Sequence, residues 1–224
     1  MGIDYGYDLY LPTGAVGRAL RAVASIAREG IGSVDVVVPG GERITVPFRG
    51  EPAGDVDHWS LDACLYFPVG DEAIRAWAEV ERREGRQEHP DALGRIWVGA
   101  VYLHFWRDCG LRSGYSRLDF TAATTSMSRL FEQSACVRGA FTGLAESVGA
   151  ACLVLDREGD GDEVCWPAGG GDLEALAAHW PETRPAATDD CRPRSTLGRT
   201  GMPRAEPKPD IRPEQGIPRS PETG

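Results

Sequence analysis

Apolar and polar residues alternate from the start of the chain, with Ile3, Tyr5, Tyr7, Leu9 and Leu11 set against Asp4, Gly6, Asp8 and Tyr10. A period of two predicts a half-buried strand. After Pro12-Thr13 the period lengthens. Val16, Ala19, Leu20, Val23 and Ala27 form the inner face of a predicted helix running to about Glu29, with Arg18, Arg21 and Arg28 outside and Gly30 and Gly32 ending it. Val34–Val38 and Arg43–Phe48 read as two strands around the turn Pro39-Gly40-Gly41-Glu42. Arg49–Ser60 reads as an irregular loop and Leu61–Pro68 as a strand. Asp71 to about Gly85 reads as a helix with Ile74, Trp77 and Ala78 inward, and Arg86–Gly94 as a loop. Arg95–Trp106 carries apolar residues on both faces, the pattern of a strand in the middle of a sheet or covered on both sides.

The second half repeats the theme. Leu118–Ala122 predicts a strand. Met127, Leu130, Phe131, Phe141, Leu144, Ala145 and Val148 then share one helical face, with Arg129, Glu132 and Glu146 opposite. Arg138 interrupts this stripe, which points to a break near Ser134–Cys136 in preference to an arginine stem lying on the core. Ala151–Asp156 and Glu163–Trp166 predict a final hairpin, and Asp172–Trp180 a short helix. If that hairpin turns around Arg157–Asp160 with Asp156 opposite Gly161, Cys152 falls directly across from Cys165, giving two facing reduced thiols. Strand, helix and hairpin succeed one another in both 5–48 and 118–167. The order fits either a βαββ duplication or the common occurrence of that unit.

From Pro181 onward prolines recur, apolar residues nearly vanish and charges of both signs mix. Such a segment cannot bury enough surface to offset its ordering entropy. The expected architecture is α+β: a single domain over 1–180 with a largely antiparallel sheet covered by two long helices and a shorter one, followed by a disordered tail over 181–224. The stretches MGIDYGYDLYLP, LDFTAATTSMSRLFEQSACVR and VCWP resemble a family of small actinobacterial proteins, over roughly residues 1–168. The resemblance implies a shared α+β fold and says nothing of chemistry.

Composition narrows the function classes. Among 224 residues, 34 acidic against 24 basic side chains give a formal charge of −10, which disfavours nucleic acid as a partner and is compatible with a basic protein partner or with simple solubility. Lys208 is the only lysine. No signal-peptide pattern opens the sequence and no apolar run approaches the roughly 20 residues needed to span a bilayer, so a cytoplasmic location without membrane contact is expected. The six cysteines form no CxxC and stand near no histidine at metal spacing, so free thiols and no metal or other cofactor are expected.

No catalytic signature stands out, and each candidate has a plain structural alternative. Thr124, Thr125, Ser126 and Ser128, with Thr121 before them and Arg129 just inside the helix, could hold a small anion. Ser and Thr are also the ordinary capping residues, and capping is the favoured reading. Asp156, Glu158, Asp160, Gly161, Asp162 and Glu163 begin like a calcium loop, but Pro167 stands where the bidentate Glu belongs, which favours a solvated hairpin tip. Asp4 and Asp8 could form a working carboxylate pair or the wet face of a strand, and the second is favoured. His104, on the face of Tyr102 and Trp106, could serve an enzyme with Asp119 or Cys109, or be a satisfied core residue. Three functions follow in order: a non-enzymatic interaction module neutralising a basic partner, a small anionic-ligand sensor at 121–129, and an enzyme built on His104.

Overall fold

The strand β1 (Gly6–Pro12) lies inside the sheet, and both its neighbours come from the second half of the sequence. In the computed structural model, which describes residues 3–51, 57–86, 89–158, 161–167 and 171–183, it pairs antiparallel with β8 (Tyr115–Ala122) and β9 (Cys152–Asp156). The other strands in chain order are β2 (Val34–Val37), β3 (Arg43–Val46), β4 (His58–Ala63), β5 (Tyr66–Pro68), β6 (Arg95–Trp97), β7 (Val101–Trp106) and β10 (Glu163–Trp166). The main sheet has the order β10-β9-β1-β8-β7-β4, and β2-β3 and β5-β6 form two separate ribbons. The helices are α1 (Val16–Ser25), α2 (Glu72–Arg83), α3 (Thr125–Gln133), α4 (Ala135–Val148) and α5 (Leu173–Ala177). The fold is α+β. The described residues belong to one unit, Met1–Thr188, and among them no helix is long and apolar enough to cross a membrane.

The inner face of the sheet carries Tyr7, Leu9, Leu11, Leu103, Phe105, Leu118 and Phe120, all fully buried. The helical stripes meet it as their periods require. Leu20 and Val23 of α1, and Phe131, Phe141, Leu144 and Val148 of α3 and α4, all enter the same core. Tyr7 stacks on Phe141 at 4.4 Å between ring centroids and donates its hydroxyl to the Phe131 carbonyl at 2.8 Å. The predicted break falls at Ser134, which ends α3 and caps α4 by accepting from the Val137 N–H at 3.1 Å. Asp71 fastens this junction. Its carboxylate caps α2 through the Ile74 N–H at 2.9 Å and accepts from Ser134 Oγ and the Cys136 N–H, both at 2.7 Å. Burial pushes its pKa up, but these donors outweigh burial and hold it at about 2. Arg138, freed from the core stripe by the break, pairs with Glu163 on β10. Gly149 closes α4 in the left-handed conformation, φ 66°, where a side chain would be strained.

Several expectations give way here. The runs 61–68 and 95–106 are each two strands. The chain leaves the sheet at Cys64 and returns through Gly99, whose φ of 43° turns it, so β5 and β6 peel off as their own ribbon. The strand β1 is buried on both faces, not one, because α5 and Trp180 cover part of the outer face. There Trp180 packs on Tyr10 and Tyr115, and the Tyr115 hydroxyl donates to the Pro181 carbonyl at 2.9 Å. The hairpin register differs by one step: Glu163 pairs with Leu155 and Val164 with Val154, and a bulge then sets Trp166 against Leu153. A one-step slip reverses the faces. Cys165 therefore packs with the main core while Cys152 joins the outer cluster, and the two thiols do not face each other. Both are free. The two strand–helix–hairpin units also place their hairpins differently: β9-β10 extends the main sheet beside β1, whereas β2-β3 stands apart and packs on α1. Residues 184–224, nearly all of the expected tail, lie outside the described residues.

Candidate functional site

Alternation on β1, β4, β7 and β8 sends every second side chain to the outer face, and register aligns them into three rungs. The first is Tyr10, Arg117, Trp106, His58; the second Asp8, Asp119, His104, Ser60; the third Gly6, Thr121, Tyr102, Asp62. The Tyr10 end of the surface is covered by Trp180, but the β7-β4 end is open. The strand β7 lies inside the sheet, between β8 and β4, and on its outer face Tyr102 and Trp106 are 40% and 39% exposed. They flank His104, whose Nδ1 shares a hydrogen bond with Ser60 Oγ at 2.7 Å.

Charge on this surface is unequally satisfied. Asp8 is only 7% exposed and is not on a wet face. It accepts from the Tyr10 hydroxyl at 3.2 Å and from Arg117 at 3.4 Å, and it stands opposite Asp119. Burial pushes its carboxyl up to about 7; Arg117 pulls it back, while Asp119 and Asp156 push it further. The Arg117 guanidinium also lies 5.5 Å from the Trp106 ring centre. Asp119 accepts from Thr121 Oγ1 at 2.7 Å. Among the described residues neither Asp119 nor Asp62 forms an ion pair, so the open half presents aromatic rings beside carboxylates that no salt bridge holds. Asp4 lies outside β1 and is exposed.

Of the residues named for catalysis, the register brings His104 against Asp119 and adds Ser60, whose chemistry only strand pairing reveals. Cys109 is held elsewhere, its Sγ 3.5 Å from the Arg112 carbonyl beside the α5 cluster. A Ser–His–carboxylate row can in principle relay a proton. Acyl transfer also needs a cavity and oxyanion donors, and the cavities flanked by α2 and α3 lie away from this row.

The residues at the start of α3 divide. Thr124 caps the helix, its Oγ1 accepting from the Met127 N–H at 3.3 Å. Ser128 is fully buried, donates to the Ile3 carbonyl at 2.7 Å and accepts from the Tyr5 N–H at 3.1 Å. It pins the chain before β1 and is removed from the candidate ligand set. Thr124, Thr125, Ser126 and Arg129 border two adjoining cavities between α2 and α3, each of about 470 Å³. The inner one is walled by Trp77, Trp97, Ala100, Ala123 and Met127, with Glu81 and Arg86 at its side. The outer one lies between Ala73, Ala76, Trp77 and Val80 of α2 and Thr125, Ser126, Arg129 and Leu130 of α3.

At the hairpin tip Asp156 accepts from the Glu158 N–H at 2.8 Å, an ordinary turn contact; Asp160 lies outside the described residues. Among the described residues no group of three His, Cys, Asp or Glu side chains could hold a metal ion. No protein-family model, curated protein or solved structure matches the chain.

Proposed function

We infer that this chain is a protein-interaction module whose open outer sheet face receives a basic partner. One observation carries the reading: Tyr102 and Trp106 stand exposed beside Asp62 and Asp119, carboxylates without an ion pair among the described residues. Exposed Trp and Tyr give large contact area at low entropic cost and recur among the residues that dominate binding energy. An incoming arginine can stack on Trp106 as Arg117 already does from within the sheet, while its charge meets Asp62 or Asp119. The surplus of acidic residues over the whole chain favours encounter with such a partner.

The test is affinity capture from the native host with the wild-type chain, Trp106→Ala and the double variant Asp62→Asn/Asp119→Asn, followed by binding measurements on what is retained. The expected result is a partner with a basic contact surface, bound at least about tenfold more weakly by each variant and released as salt rises. Equal retention by all three chains, or an acidic partner, would overturn the reading.

A further inference from the structure

We propose that the groove between α2 and α3 is a binding site for an amphipathic monocarboxylate, its aryl or alkyl body in the inner cavity and its carboxylate at Arg129. The two cavities share Trp77, Glu81 and Ser126, so they form one continuous groove. Each lies in the size range of pockets that take small organic ligands. The inner end is lined by two indole rings, a methionine and two alanines, surfaces that favour an apolar body. Its shape is built into the backbone. A Cβ on Gly99 would stand 2.9 Å from Met127 Sδ, so glycine at this left-handed turn lets Met127 form the wall.

Charge settles which end of the ligand lies where. The carboxylate of Glu81 is already engaged by Arg86, at 2.8 Å, so the inner end offers no free cation or anion. At the outer end Arg129 is exposed on α3 and has no ion-pair partner among the described residues. Beside it stand the hydroxyls of Thr125 and Ser126. The first-turn N–H groups of α3 are not needed for this assignment, since the Thr124 cap already serves that of Met127. An apolar body terminated by one negative charge matches an apolar pocket with one uncompensated guanidinium at its mouth. The 50% exposure of Val80 at the rim, where few large apolar residues among the described ones are exposed, fits a surface completed by a ligand.

The experiment is calorimetric titration of the full chain with decanoate and 4-phenylbutyrate, each beside its uncharged alcohol, below their aggregation limits. At least one acid should bind with a stoichiometry near one and more tightly than its alcohol. Arg129→Gln, a change on an exposed face, should weaken the acid about tenfold and leave the alcohol within about twofold. Ala123→Leu, which fills the inner cavity, should abolish both, and Ala76→Leu, on the exposed wall of the outer cavity, should obstruct the groove without touching the core. Circular dichroism verifies the fold of each variant. Failure of both acids to bind, equal loss of acid and alcohol in Arg129→Gln, or unchanged binding in both groove-filling variants would overturn the proposal. None of these variants touches Tyr102, Trp106, Asp62 or Asp119, so the outer-face reading is tested separately.

Discussion

Replacing Asp8 by asparagine should make the protein less sensitive to alkaline pH. The carboxyl sits in the second rung of the outer face, walled by Tyr10, Arg117 and the opposed Asp119, and its pKa rises from 3.8 to about 7. A folded pKa above the unfolded one means that the native state holds its proton more tightly. Stability is then highest below the unfolded pKa and declines as pH rises through the folded one. The gap between the two values corresponds to roughly 4 kcal/mol once ionisation is complete. Roughly 2 kcal/mol of this is already lost by pH 5, leaving about 2–3 kcal/mol to be lost between pH 5 and pH 8.5. The substituted amide has no charge to lose, and its oxygen can still accept from the Tyr10 hydroxyl. Urea unfolding of both chains at pH 5, 7 and 8.5 isolates the effect, because titrating groups not coupled to Asp8 cancel in the difference. Asp8→Asn should gain about 2–3 kcal/mol on wild type across that range. A difference constant to within about 0.5 kcal/mol would refute the argument and show that Arg117 keeps Asp8 ionised in the native state.

Two further predictions concern the helical layer. Phe131→Ala and Leu144→Ala, both core residues, should each cost about 2–5 kcal/mol in chemical denaturation, whereas exposed Glu146→Ala should stay within about 0.5 kcal/mol; equal losses at all three would refute the helical phase. Asp71→Ala removes a cap and two charge-assisted bonds to the α3–α4 junction, and should cost about 2–3 kcal/mol at pH 7. Because its folded pKa is depressed, the Asp71 contribution is present above the unfolded value and fades as pH falls from 3.8 to about 2, so the two chains should converge in stability toward that pH.

Element type and inward faces were legible because local periodicity encodes them. Met127, Leu130, Phe131, Phe141, Leu144, Ala145 and Val148 are all buried as their spacing requires, and Arg138 marked the break at Ser134. What spacing does not encode is which strand lies beside which. Nothing local to Asp8 states that Trp180, far along the chain, covers the neighbouring Tyr10, so a strand that reads as half wet is dry on both sides. The Cys152–Cys165 pairing depended on register, and a difference of one step was enough to separate the thiols. For the outer face, His104 and Asp119 were visible as residues, but their alignment with Ser60 and Asp8 arises only when four strands from distant segments come together. Arg129 and the Ser/Thr cluster were visible at the start of α3. The groove beside them was not, because its opposite wall comes from α2 and its inner end from Trp97 on the β5-β6 ribbon.

The place of β1 bears on how the chain folds as it is synthesised. Residues 6–12 are made well before their partners, for β8 is not complete until Ala122 and β9 not until Asp156. At about 5–20 residues per second, the first strand waits roughly 5–30 seconds for its two partners. During that interval its Tyr, Leu and Pro side chains have no sheet to join, and the helices that follow have no completed surface to cover. Folding therefore turns on a late event, the arrival of the second half, which closes contacts of very long sequence separation. A nascent chain halted before Tyr115 would expose an unpaired apolar strand, the kind of segment that chaperones retain.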